Sequence, residues 1–170
     1  MAAFMEAFIT AALVEEVSKM AVLVLFIFMN KYFDEITDGI IYMAIISLNF
    51  TCFENVLYST GNLLTGFIRA FTAVPGHAIW SGIMGYYIGL ARMEKNRKTS
   101  LFIQGLFGGV LYHGIYDFVL FAGIKEELTT HYSWFVFLIF PILIIGAIHL
   151  KALLKKALSQ DKENSCCLSI

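Results

Sequence analysis

The chain has 170 residues, of which 59% are hydrophobic and 15% charged, and its mean hydropathy is +0.75. A soluble domain carries about 25% charged residues, so the apolar excess excludes an ordinary soluble globule and points to lipid-facing surface. A net charge of −1 gives no reason to expect a nucleic-acid partner, and three cysteines offer no disulfide framework.

Five stretches are long enough to cross a hydrocarbon core, which takes about 20 helical residues: 3–29, 37–60, 63–91, 100–123 and 132–154. Short connections lie between them at Lys31–Glu35, Gly61-Asn62, Arg92–Thr99 and Ile124–His131. The expectation is an all-α, polytopic membrane bundle of about five transmembrane helices. Its domain covers 1–156, and a cytoplasmic tail covers 157–170. The opening stretch has no basic n-region and carries Glu6, Glu15, Glu16 and Lys19, so it is read as retained rather than cleaved as a signal peptide. The positive-inside rule places Lys31, Arg92, Lys95, Arg97, Lys98, Lys151, Lys155, Lys156 and Lys162 on the inner side and only Lys125 outside. The orientation expected is therefore N-out/C-in.

Span one contains Glu15-Glu16-x-x-Lys19. Ionisable groups at the bilayer centre cost about 2.5–3.5 kcal/mol each on insertion scales, so they are normally paired and functional. Glu15 and Lys19 are i, i+4 on one face, with Glu16 turned about 100° away. On that geometry Lys19 neutralises Glu15, and Glu16 is assigned as general base. The structural alternative is an intrahelical ion pair that only sets packing. Span two adds Glu54 and Asn55 near its outer end, with Tyr58 one turn on and able to hold Glu54. Span three carries Arg69, able to pair with Glu54 or another carboxylate, and then Pro75 and His77. Pro75 and Pro141 are each expected to kink their helices. Span four carries His113 and Asp117 at i, i+4, a spacing that lets a carboxylate orient an imidazole.

Other features read as structure. His131 and His149 fall near span ends and are expected to face interfacial water. Glycines at 82, 85, 89, 105, 108 and 109 permit close helix contact. The terminal Cys167-Leu-Ser-Ile fits a prenylation box poorly. The polar groups of four helices share a layer from mid-membrane toward the outer leaflet. In it a glutamate can take a proton from water, histidines can bind a metal or polarise a carbonyl, and Asn55 can steady an oxyanion. No His-Glu-x-x-His helix is present to argue for zinc, so metal dependence stays open.

The order of Glu15-Glu16-x-x-Lys19, the stretch 33–39 leading to Phe53-Glu54-Asn55-x-x-Tyr58, Arg69 to His77, and His113-x-x-x-Asp117 resembles the PrsW family of intramembrane proteases. That family is distantly similar to the CAAX prenyl endopeptidases. The resemblance implies an endopeptidase of a bacterial-type cell membrane that cuts a membrane-anchored protein, with an anti-sigma factor cut on its outer side as the family's substrate. It implies a catalytic core of Glu15, Glu16 and His77 or His113, supported by Lys19, Glu54, Asn55, Arg69 and Asp117. A divalent metal such as Zn2+ would fall to His77 and His113, although the prenyl endopeptidases resemble glutamate proteases without one. Many family members carry helices before the glutamate pair, so this bundle is expected to expose its site to lipid or to close it as a homo-oligomer. The alternatives are a non-catalytic multipass scaffold that binds transmembrane helices, and a small proton-coupled transporter. No inverted repeat favours the latter.

Overall fold

A chain in lipid must satisfy its backbone polar groups internally, which leaves long apolar runs the helix. In a computed structural model of the protein, which describes residues 1–124 and 133–168, the described residues form helices and no strand. Helix α1 comprises a turn Ala2–Met5, a π-helical stretch Glu6–Leu13 and an α-helical stretch Val14–Phe26. It is followed by α2 (Ile36–Gly61) and α3 (Leu63–Met93). A 3-10 turn, Lys95–Arg97, leads into α4 (Lys98–Ile124), and a second, Ser133–Leu138, into α5 (Ile139–Leu168). The connection read at 124–131, with Lys125 and His131, falls beyond Ile124 outside the described residues. So do Ser169 and Ile170 of the terminal cysteine box.

Among the described residues, three stretches are long and apolar enough to cross a membrane: Ile36–Gly61, Lys98–Ala122 and Val136–Cys166. Spans were expected on α1 and α3 as well. Their composition differs for a physical reason. α1 carries two glutamates and a lysine at its centre, and α3 is the inner helix, with Trp80–Tyr86 and Ile88–Ala91 buried. A helix wrapped by its neighbours is not selected for apolarity as a lipid-facing one is. The bundle's outer surface is apolar, with Phe53, Phe67, Phe71, Phe107, Ile144 and Ile148 all well exposed.

Small residues let α3 sit inside. A Cβ on Gly39 would collide with the Gly85 carbonyl and the Gly89 backbone, and one on Gly89 would strike the Ile36 backbone. α2 and α3 therefore touch main chain to main chain. Gly105 of α4 makes the same approach to the Met84 carbonyl. Gly85, Gly89 and Gly105 thus serve as the sequence indicates, while their partner Gly39 was not singled out. Pro75 lies inside α3, which continues through it from Leu63 to Met93. Pro141 lies in the first turn of α5, directly after the 3-10 turn Ser133–Leu138.

Two carboxylates serve the N-terminus of α2, whose first amides lack helical acceptors. Asp38 Oδ2 accepts from the amides of Asp34 (3.1 Å) and Glu35 (3.0 Å). Asp161 of α5 accepts from the amides of Ile36 (2.7 Å) and Thr37 (3.0 Å) and from Thr37 Oγ1 (2.6 Å). The stretch read as a tail is thus helical to Leu168, with Ala157 and Asp161 both buried. Asp161→Ala should lower stability by about 1–2 kcal/mol, as loss of a helix N-cap does, read as an earlier thermal unfolding in detergent with activity retained below that temperature.

Candidate active site

Glu16 and Lys19 are 0% and 1% exposed. No water reaches them, so protein groups must satisfy them. Lys19 Nζ lies 2.8 Å from Glu16 Oε1, 3.4 Å from Glu15 Oε2 and 2.7 Å from His77 Nδ1. An ammonium only donates, so His77 Nδ1 accepts and the ring's proton belongs on Nε2. That nitrogen faces Glu54 Oε2 at 3.6 Å.

Glu16 is the hub of the assembly. Its Oε1 also meets His113 Nδ1 at 3.0 Å, and its Oε2 accepts from Ser81 Oγ at 2.9 Å. Ser81 Oγ lies 2.9 Å from Ser47 Oγ, which donates to the His77 carbonyl at 2.9 Å. Gly109 leaves room for this carboxylate, since a Cβ there would sit 3.4 Å from Glu16 Oε2. His113 is held at its other nitrogen too, with Nε2 3.2 Å from Asp117 Oδ2. The Trp80 indole stacks on its ring at a centroid distance of 5.4 Å and an interplanar angle of 18°.

Glu15 is placed differently. Its Oε2 is 3.9 Å from His77 Nδ1 and 3.9 Å from His113 Nε2, and its side chain is 18% exposed. It lines a cavity of about 320 Å3 between α1, α2, α3, α4 and the start of α5. Glu54, Tyr58, Arg69, Tyr116 and Asp117 share that lining, and Glu16 does not. The expected pairing of Lys19 with Glu15 is present at 3.4 Å, but Lys19 also holds Glu16 at 2.8 Å and so does not free it. Of the two glutamates the ammonium is nearer Glu16, and the one with room for water beside it is Glu15.

Glu54 Oε1 pairs with Arg69 Nη2 at 2.7 Å, and the guanidinium lies 3.9 Å above the Tyr58 ring. Tyr58 thus supports Arg69 rather than Glu54. Asn55 stands apart: its Nδ2 donates to the Gly66 carbonyl at 3.0 Å, tying α2 to α3 near their turn. It is not among the residues lining the cavity, so it is not placed to steady an oxyanion there. Sequence reading missed Ser47, Ser81, Trp80 and Tyr116, whose hydroxyl lies 3.0 Å from Thr72 Oγ1. Spacing held a signal for two of them, since Trp80 and Ser81 fall three and four residues after His77 and share its face. His149 is half-buried. It lies 3.1 Å from the Tyr112 hydroxyl, beside a second cavity of about 460 Å3 between α3, α4 and α5.

Glu15, His77 and His113 each offer a donor atom, all within 4.8 Å of one another. Two imidazoles and a carboxylate form the donor set of several catalytic zinc sites, so the residues fit a divalent cation in type, and His77 would give up its bond to Lys19 to join it. Glu15 joins the two histidines that sequence reading named.

The family described as PrsW family intramembrane metalloprotease matches residues 1–145. The chain belongs to the PrsW family. Protease PrsW of Geobacillus kaustophilus (strain HTA426) is 43% identical over 119 residues, covering 69% of this chain and 52% of that protein. Protease PrsW of Bacillus subtilis (strain 168) is 36% identical over 121 residues, covering 70% and 56%. Protease PrsW of Halalkalibacterium halodurans is 34% identical over 142 residues, covering 83% and 62%. The chain thus spans about half the length of the curated relatives it matches. No solved structure matches it.

Proposed function

We propose that this chain acts as an intramembrane endopeptidase, hydrolysing a peptide bond of a membrane-anchored protein, with Glu15 as the carboxylate that meets the attacking water. One observation carries the reading: Glu15 lines the cavity and reaches both histidines (3.9 Å each) and Lys19 (3.4 Å), whereas Glu54 and Asp117 on the same lining each meet one histidine. Glu15 takes the water's proton as the oxygen attacks the carbonyl carbon, and that proton passes to the leaving nitrogen when the C–N bond breaks. His113 stands 3.9 Å from Glu15 and is anchored by Glu16 and Asp117, so Nε2 is positioned to hold or return a proton. Glu16 and Lys19 position both histidines without touching substrate. A divalent cation held by Glu15, His77 and His113 would supply a bound water of lowered pKa.

The substrate class is a single-pass, anti-sigma-factor-like protein of a bacterial-type membrane. With the N-terminus outside and the lysine- and arginine-rich ends inside, the cavity belongs to the outer half, on the side of the Gly61-Asn62 turn. The test is cleavage of a panel of single-pass proteins by the chain reconstituted in liposomes, beside Glu15→Gln and His113→Ala. Wild-type cleavage absent from both variants supports the reading, and undiminished cleavage by folded Glu15→Gln overturns it. A chelator is expected to lower cleavage at least tenfold and Zn2+ to restore it. Unchanged cleavage in chelator would leave hydrolysis to the glutamate without a cation.

A further inference from the structure

Native proteins leave few buried polar atoms unpaired, and each such atom asks for an explanation. Among the described residues, the buried side-chain atoms without a hydrogen-bond partner are Glu54 Oε2, Asn55 Oδ1, Arg69 Nε, Arg69 Nη2 and Trp80 Nε1. Four of the five belong to Glu54, Asn55 and Arg69, on neighbouring turns of α2 and α3. Glu54 and Arg69 both line the 320 Å3 cavity, across which lies Glu15.

The pair is held still without being saturated. Tyr58 supports the guanidinium at 3.9 Å, and Glu54 Oε1 lies 2.7 Å from Nη2 as an ion pair off the line of an N–H. The Arg69 side chain is 11% exposed, so bulk water does not replace the missing acceptors. Beside these donors stands an acceptor, Glu54 Oε2, which has no hydrogen-bond partner among the described residues and lies 3.6 Å from His77 Nε2. One wall thus offers a donor fork and an acceptor side by side, the complement of a peptide's C=O and N–H. Those groups are engaged internally in a helix and available only where the chain is unwound. Ile68, Leu120, Phe121, Val136, Ile139 and Phe140 are among the apolar residues of the lining, suited to an apolar side chain.

The geometry points to a backbone-reading subsite, in which Arg69 donates to a carbonyl oxygen and Glu54 Oε2 accepts from an amide of an unwound substrate segment laid beside Glu15. The proposal rests on the endopeptidase reading above and deepens it. Selection at this wall falls on local helix instability in the substrate rather than on side-chain identity. It is the recognition of a sheet edge, carried out by two charged side chains.

Binding to the cleavage-deficient Glu15→Gln chain tests this without requiring turnover. The probes are fluorescent single-pass peptides of leucine and alanine, one uninterrupted and one with a central Gly-Pro, in vesicles of phosphatidylcholine and phosphatidylglycerol. Glu15→Gln is expected to bind the Gly-Pro peptide about tenfold more tightly than the uninterrupted one. Adding Arg69→Lys keeps the charge opposite Glu54 but removes the donor fork, and should erase that preference without lowering the unfolding temperature. The neutral pair Glu54→Gln with Arg69→Gln should erase it too, which guards against misfolding of either variant. Equal binding of the two peptides to Glu15→Gln, or a preference that survives both Arg69 variants, overturns the proposal and leaves the wall to bound water. Cleavage of the Gly-Pro peptide by wild type is scored separately. Arg69-dependent binding without cleavage would remove the hydrolysis and keep the subsite. Cleavage with Arg69-independent binding would remove the subsite alone.

Discussion

Glu15→Gln is expected to lower the cleavage rate about 10^3-fold, within the range of about 10^2–10^4 that a positioned acid–base group contributes, while the unfolding temperature stays nearly unchanged. Glutamine has the volume and hydrogen-bonding reach of glutamate, and only basicity and charge are lost. The fold tolerates that loss because Lys19 keeps its nearer partners, Glu16 Oε1 at 2.8 Å and His77 Nδ1 at 2.7 Å. Its contact with Glu15 is the longest of the three, at 3.4 Å. Kinetics and thermal unfolding measured on one reconstituted preparation check both halves. A variant that cleaves at the wild-type rate would refute the role of Glu15. One that unfolds much earlier would show that Glu15, too, holds the network together.

The contrast with Glu16 marks where sequence reading stops. Helical geometry allows Lys19 to reach back to either i−4 or i−3, and the sequence alone favoured Glu15. The choice is made by α3, which brings His77 and Ser81 to the side where Glu16 lies. No property of residues 15–19 predicts that. Convergence of α1, α2, α3 and α4 was legible because ionisable side chains in apolar helices must find one another, and Glu15, Glu16, Lys19, Glu54, Arg69, His77, His113 and Asp117 do meet. Ser47 was not legible, since a hydroxyl in a membrane helix can bond its own backbone and needs no tertiary partner. Asn55 misled for the opposite reason. An amide beside a catalytic-looking glutamate suggests oxyanion chemistry, but consecutive helical residues point about 100° apart, and Asn55 turns to the Gly66 carbonyl instead. Asp161 looked like part of a charged tail because sequence distance hides its 2.7 Å bond to the amide of Ile36.

Glu16→Ala should be the most destabilising single change in the site, by about 3–5 kcal/mol, the usual result of removing one member of a buried ion pair. The substitution strands a buried ammonium, an imidazole nitrogen and a hydroxyl together, since Lys19, His113 and Ser81 all bond this one carboxylate. Lys19 would keep Glu15 at 3.4 Å and His77 at 2.7 Å, neither of which replaces a carboxylate at 2.8 Å in a site closed to water. Loss of activity in this variant would say nothing about proton transfer. The informative measurement is an unfolding cycle with Glu16→Met, Lys19→Met and the double variant. If the carboxylate acts by compensating the buried charge, the double variant is more stable than Glu16→Met alone by about 2 kcal/mol or more, because two apolar side chains of similar volume can replace a buried pair without leaving a charge behind. If the two losses add, Glu16 stabilises the bundle through His113 and Ser81 rather than through Lys19. The network would then be organised around the imidazole that stands behind Glu15.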